Sequence, residues 1–159
     1  MRGVYTAAYQ ITGVTTSKTL MYLTAPSTAV VEILSAKVTD ANVTTAEQLD
    51  IGIAKIATLG TPTATTLTPK PIEAGSSSAG STVKGNVTAS EPTYEVDGSS
   101  IALFIDHQGA SNMAGYYYDP LPEERPIVSP SASIGIKLLA VPSNSYTLNV
   151  VLTFREIGG

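Results

Sequence analysis

The segment SYTLNVVLTFREI, Ser145–Ile157, has the residue pattern of a long β-strand. Apolar and polar residues alternate along it, and the apolar positions that share one face are Tyr146, Leu148, Val150, Leu152 and Phe154. A period of two, carried by β-branched and aromatic residues, is typical of a β-strand with one buried face. We therefore predict one long strand here, at the centre of a β-sandwich.

The best partner of this strand by length is TAVVEILSAKVT, Thr28–Thr39. One face of the segment carries Val30, Leu34, Ala36 and Val38. Val31 and Ile33 make the opposite face apolar at one end only. A strand that is apolar on both faces must be covered twice, once by its own core and once by another surface. We therefore predict that Val31 and Ile33 line an interface with another copy of the chain.

Shorter alternating segments extend the β-pattern through the rest of the chain: Val4–Thr12, Lys18–Thr24, Gln48–Ala57, Ile101–Ile105 and Ser133–Ala140. Residues 1–23 read as a first hairpin or as an N-terminal arm that embraces a neighbour. Residues 60–95 are rich in Thr, Ser, Gly and Pro and read as a loop-rich insertion, with short strands near Ala64–Thr68 and Thr82–Thr88. Because no stretch has a helical period, we predict a single all-β domain over residues 1–159, a jelly-roll-like antiparallel β-sandwich of about eight strands.

Composition limits the possible partners of the chain. Charged residues make up only 14% of the 159 residues, below the roughly 25% of ordinary soluble chains, which fits either a surface buried in an assembly or a Thr-rich β-surface. A net charge of −4 provides no basic patch for nucleic acid. Cysteine is absent, so disulfides and thiolate-bound metals are excluded. The chain has no apolar run long enough to span a membrane and no signal peptide, so we expect no membrane contact and no ordinary secretion.

The residues that could carry catalysis are few and scattered. The single histidine, His107, follows Asp106, and a lone histidine at a strand end is more often a surface residue than a general base. Glu123 and Glu124 are neighbours that point to opposite faces of an extended segment, so they cannot act as an acid/base pair. Phosphate loops and metal-binding spacings are missing. We predict that the chain is not an enzyme and has no catalytic residue, metal or cofactor.

Tyr116–Tyr118 is the most unusual local feature of the chain. Aromatic rings on a loop or an edge strand can stack on sugars or anchor a protein contact. The plainer interpretation is a strand with one ring inward and two half-exposed, so the three tyrosines are candidates for partner contact only. Glu32 lies inside the apolar run of Thr28–Thr39, where an unpaired charge is costly, and we expect it to pair with Arg155 or Lys37 or to reach water at a strand end.

Four segments carry a resemblance to a known family: TAPSTAVVEIL at 24–34, TPKPIEAG at 68–75 with its continuation through ASEPT at 89–93, PEERPIVSPSASIGIKLLAVPS at 122–143, and the terminal FREIGG at 154–159. They resemble small structural proteins of tailed bacteriophages, jelly-roll β-sandwiches that act as capsid decoration (cement) proteins. The resemblance runs from about Thr24 to Gly159. It lies in the order of strands and proline turns, none of which is a catalytic signature.

The resemblance implies a homotrimer that sits on the capsid surface of the virion after synthesis in the host cytoplasm. It also implies that the protein binds the major capsid protein by shape and by β-contacts. The residues leave an alternative open, a receptor- or glycan-binding head module of a phage fibre or tail, in which the tyrosine cluster is the binding platform.

Overall fold

The structure is a computed structural model that describes residues 3–96 and 104–158. The regular elements in these ranges are thirteen β-strands and one short 3₁₀ turn, which confirms the predicted all-β class. The strands are β1 (Gly3–Val14), β2 (Lys18–Thr24), β3 (Ala29–Asp40), β4 (Gln48–Thr58), β5 (Thr63–Leu67), β6 (Lys70–Pro71), β7 (Thr82–Ala89), β8 (Thr93–Tyr94), β9 (Phe104–Ser111), β10 (Tyr116–Tyr118), β11 (Ile127–Val128), β12 (Ser133–Leu138) and β13 (Tyr146–Gly158), and the 3₁₀ turn is Pro122–Glu124.

Two antiparallel sheets pack face to face. Sheet A has the strand order β10-β3-β13-β1-β6, and β11 pairs with β3 along the same edge as β10. Sheet B has the order β5-β7-β2-β12-β4-β8, and β9 also pairs with β4. The residues buried between the sheets alternate along their strands, as a sandwich requires. β13 supplies Tyr146, Leu148, Val150, Leu152 and Phe154.

Eight of the strands follow a jelly-roll path, in which the chain crosses repeatedly from one sheet to the other. β13 lies between β1 and β3 in sheet A, and β12 lies between β2 and β4 in sheet B. β9 and β10 then extend sheets B and A. The predicted pairing of the two longest segments is confirmed, because β13 pairs with β3 from Leu148 opposite Asp40 to Gly158 opposite Ala29.

The predicted hairpin of the first two strands is wrong. β1 pairs with β13 and β6 in sheet A, whereas β2 pairs with β12 and β7 in sheet B. The chain turns between the sheets after Gly13, whose φ of 67° suits glycine. An N-terminal arm is also excluded for residues 3–14, because β1 is hydrogen-bonded to strands of its own chain on both sides.

The loop-rich insertion contributes β5, β7 and β8 to sheet B and the short β6 to sheet A. Its two predicted strands are confirmed as β5 and β7, and β7 pairs with β2. Insertion residues bury the outer face of the sheet in a cluster made of Tyr22, Ala54, Ile56, Val87 and Tyr94. A Cβ on Gly135 would lie 2.4 Å from the Tyr94 hydroxyl, so the glycine makes room for this ring. The predicted segment Ile101–Ile105 lies mostly outside the described residues, and its last two residues, Phe104 and Ile105, belong to β9.

Two carboxylates fasten the insertion to the sandwich. Glu91 accepts hydrogen bonds from the backbone N–H of Thr19 at 3.0 Å and from its hydroxyl at 2.7 Å. Glu156, which is fully buried, accepts from the Gly80 N–H at 3.1 Å, the Ser81 N–H at 2.7 Å and the Ser81 hydroxyl at 2.6 Å. The Ser/Gly-rich middle of the insertion, residues 75–81, is therefore tied to the last residues of β13.

Candidate functional site

Val31 and Ile33, predicted to line an interface, lie in the core of their own chain. Both side chains are 0% exposed in the single chain. The register between β3 and β13 shifts because Thr153 is opposite Ser35 and Phe154 is opposite Ile33, which leaves Leu34 as an extra residue in β3. This β-bulge reverses the facing of the residues before it. The prediction that Val31 and Ile33 face a partner is therefore wrong.

The same bulge places Glu32 on the outer face of sheet A, where it is only 6% exposed. Arg155 donates to it from Nε at 2.7 Å and also from Nη2, and Arg125 lies 3.5 Å away through Nη1. The predicted pairing with Arg155 is confirmed, and the second cation is Arg125 in place of Lys37. Two guanidinium groups thus compensate a carboxylate that the local sequence places among apolar residues.

The middle of this outer face is a surface of mostly polar, uncharged side chains that we call the open face. Three cross-strand rows form it, and each row takes one residue from β1, β13 and β3: Thr6, Thr153 and Ser35; Ala8, Val151 and Lys37; Gln10, Asn149 and Thr39. The Gln10 amide donates to Asn149 Oδ1 at 2.9 Å. Lys37 is the single ionisable side chain among these nine residues. Each of the nine is exposed or half-buried.

The three predicted tyrosines form β10 and take different positions. Tyr116 is 0% exposed, and its hydroxyl donates to Asp106 Oδ2 at 2.7 Å. Tyr117 is 57% exposed and pairs with Lys37, at the edge of the open face. Tyr118 is half-buried. This arrangement matches the plainer interpretation of one inward ring, and it leaves Tyr117 and Tyr118 accessible for contact.

The phenols of β10 lie in a negative environment. Burial raises the pKa of Tyr116 well above its ordinary value, and the hydrogen bond to Asp106 and the charge of that carboxylate add to the rise. Burial also raises the pKa of Tyr118, with smaller contributions from the charges of Asp106 and Glu124. Both phenols are therefore protonated hydrogen-bond donors at neutral pH.

A groove runs beside β10 and is walled by β9 on its other side; we call it the β9–β10 groove. Its volume is about 490 Å³, and its polar lining is Asp106, Gln108, Tyr117, Tyr118, Asp119 and Glu124. The Gln108 amide donates to Asp106 Oδ2 at 3.0 Å and to the Tyr117 carbonyl at 3.5 Å. The groove thus combines residues from the edges of both sheets, and the sequence had indicated only its tyrosines.

The other candidates for chemistry do not assemble a reactive group. His107 is 47% exposed at its side chain, contacts the Asp50 carboxylate and stacks on Phe104 with ring centroids 5.0 Å apart. Glu123 and Glu124 are exposed in the 3₁₀ turn. Across residues 3–96 and 104–158, no three His, Cys, Asp or Glu side chains are arranged to hold a metal ion. No helix in the described part of the chain has the length and apolar character needed to cross a membrane.

Comparison of the chain with family models, with curated proteins and with solved structures gave no match. Within the described residues, the open face and the β9–β10 groove are the two surfaces best suited to binding.

Proposed function

We propose that this chain is a virion structural protein of a tailed bacteriophage, a capsid decoration (cement) protein that binds and stabilises the lattice of the major capsid protein. The observation that carries the proposal is the difference between the two outer faces of the sandwich. The insertion covers the outer face of sheet B with the cluster around Tyr94. The open face of sheet A has no comparable cover from the described residues. One face is thus closed by the chain itself, and the other is available for docking.

The chemistry of the open face suits contact with a protein surface. Interface centres are depleted of charged residues relative to the rest of the surface, and Lys37 is the one charge in the three rows. Threonine, serine and valine side chains are short, so they order on binding at a small cost in conformational entropy. A rigid sheet also needs little rearrangement to dock. The low charge of the whole chain, 14%, is consistent with such a surface.

The size of the open face favours several copies acting together. Strand spacings of about 4.8 Å and rises of about 3.3 Å per residue give the three rows an area of roughly 300 Å² with the flanking β10 included. A stable interface buries about 800 Å² on each partner. A homotrimer that presents three open faces reaches this range and gains from multivalency on a repeating lattice. We therefore include the homotrimer in the proposal, and light scattering during size exclusion tests it: three times the chain mass of 16.5 kDa is expected, and a single chain mass contradicts it.

The proposed role is structural and non-catalytic, with the major capsid protein and the chain itself as partners. Assembly then takes place in the host cytoplasm, and the mature protein is located on the capsid surface. Neither nucleic acid nor a membrane is part of the proposal. The net charge of −4 disfavours phosphate contacts.

Co-sedimentation with empty capsids that lack the protein tests this function. The wild-type chain should sediment with the capsids at a fixed ratio to the major capsid protein. Val151→Lys places a charge in the middle of the open face and should weaken capsid binding. Val141→Lys is the matched control, because Val141 is 67% exposed in the loop before β13. Failure of the wild-type chain to bind any capsid, or equal binding by both variants, contradicts the proposal.

A further inference from the structure

We propose that the β9–β10 groove is a carbohydrate site that takes a neutral oligosaccharide. Its volume of about 490 Å³ lies within the range of small-molecule sites, about 300–1,000 Å³. The groove borders the open face at Tyr117, but its polar groups lie outside that face: Asp106 and Gln108 belong to β9, and Asp119 and Glu124 follow β10. A glycan site would serve a decorated particle and a receptor-binding head equally well.

The polar groups of the groove match sugar hydroxyls. Carboxylates accept strong hydrogen bonds from hydroxyl donors, and a glutamine amide both donates and accepts. Asp106 is already oriented, because Tyr116 and Gln108 both donate to its Oδ2, and its Oδ1 keeps acceptor capacity for a ligand. Such pre-ordering lowers the entropic cost of binding. Within the described residues, neither Asp119 nor Glu124 is paired with a basic side chain.

The apolar groups of the groove suit the C–H faces of a pyranose ring. Ile105 and Pro120 contribute to the lining. Tyr118 offers an amphipathic ring with a hydroxyl at one end, and such rings lose little entropy when they bind. Tyr117 points to the other face of β10, and its backbone carbonyl accepts from Gln108. A ligand that alternates hydroxyls with C–H faces satisfies both kinds of surface at once.

The charge of the groove defines the kind of sugar. Asp106, Asp119 and Glu124 line it and no Lys, Arg or His does, so phosphorylated, sulphated and uronic or sialic acid ligands are repelled. A basic peptide is the competing occupant. Exposed carboxylates hold a lysine or arginine weakly, whereas the amide of Gln108 and the oriented Asp106 give directional contacts that a sugar uses better. The observations therefore favour a neutral glycan.

The test begins with the purified full-length chain on an array of neutral hexose and N-acetylhexosamine oligosaccharides. The array glycan with the strongest signal is then titrated by calorimetry against the wild type, Gln108→Ala and Asp119→Asn. Each variant should bind about tenfold more weakly, the loss expected for one hydrogen bond to the ligand. Glu123→Gln is the control, because Glu123 neighbours Glu124 outside the groove lining, and it should bind like the wild type.

Three results overturn the proposal. The first is an array on which no neutral oligosaccharide binds above background. The second is glycan binding that both groove variants retain at wild-type strength, which would place the site elsewhere. The third is binding of a hexa-arginine peptide, lost in the hexa-citrulline control, by a protein that binds no array glycan. Co-sedimentation of Gln108→Ala with empty capsids separates the two proposals, because capsid binding should be unchanged.

Discussion

Ile33→Ala tests whether β3 faces the core in the way the bulge at Leu34 requires. Ile33 is 0% exposed and belongs to the core cluster between the sheets. Removing its three outer carbons loses about 2.4 kcal/mol of transfer free energy at about 0.8 kcal/mol per buried carbon. The cavity left behind brings the expected loss to about 2–5 kcal/mol. For a chain of this length that corresponds to a fall in Tm of about 4–20 °C.

Urea unfolding followed by circular dichroism measures this loss directly. Lys37→Ala is the matched control on the same strand, because Lys37 is exposed on the open face, and its effect should stay within about 0.5 kcal/mol. If Ile33→Ala is as stable as the control, the core position of Ile33 is refuted. If Ile33→Ala also converts an oligomer to a smaller species, the side chain of Ile33 lies in a subunit interface instead of the core.

Three further changes test the rest of the structure. Glu156→Gln should destabilise the fold by about 1–3 kcal/mol, because it weakens charged hydrogen bonds to buried donors. Limited proteolysis should then cut residues 75–81 faster, and unchanged cleavage contradicts the role of Glu156 in holding Gly80 and Ser81. Gly135→Ala should destabilise the fold, because the added methyl group meets the Tyr94 ring. The losses in unfolding free energy of Gly135→Ala and Tyr94→Ala should sum to more than the loss in the double variant; strict additivity argues against that contact. Stability should fall as the pH rises above about 10, because burial raises the pKa of Tyr94 and Tyr116 in the folded chain while the unfolded chain releases those protons near pH 10. In Tyr94→Phe, the free energy of unfolding measured with urea should fall less steeply between about pH 9 and pH 11 than in the wild type. An unchanged pH dependence contradicts the raised pKa of the buried Tyr94 phenol.

The central strands were predictable because their signal is local and strong. Every second residue of β13 from Tyr146 to Phe154 is apolar, and the length of the strand identifies β3 as a partner. The facing of Val31 and Ile33 was not predictable, because the bulge at Leu34 is defined by the register with β13 and not by the residues of β3 alone. When a strand contains a bulge, its alternating pattern still identifies the strand. On one side of the bulge, however, the pattern assigns the core-facing residues to the opposite face of the sheet.

The neighbours of β1 and β2 also depend on long-range pairing. Strands that follow each other in sequence often pair, which favours a hairpin, but a jelly roll sends them to opposite sheets. Glu156 was not predicted as a buried carboxylate, although the sequence contains a signal for it. Glu156 continues the alternation of β13 past Phe154, so its parity alone indicates a carboxylate on the core face that must have buried donors.

The candidate sites were predictable only in part. The sequence identified Tyr116–Tyr118, but Asp106 and Gln108 come from β9, and only the fold brings them beside β10. The open face could not be predicted from the sequence, for a different reason. Its residues are mostly polar and uncharged, with no motif, and it becomes distinctive only because the insertion covers the opposite face of the sandwich.

Cryo-electron microscopy of a capsid carrying this protein would show which face of the sandwich meets the lattice. We expect jelly-roll density on the outside of the lattice, with sheet A towards the major capsid protein and the row of Ala8, Val151 and Lys37 in the contact. The insertion and sheet B should face solvent. A map in which sheet B or the insertion meets the lattice while the open face points to solvent would contradict the account, and so would a capsid that carries none of the protein.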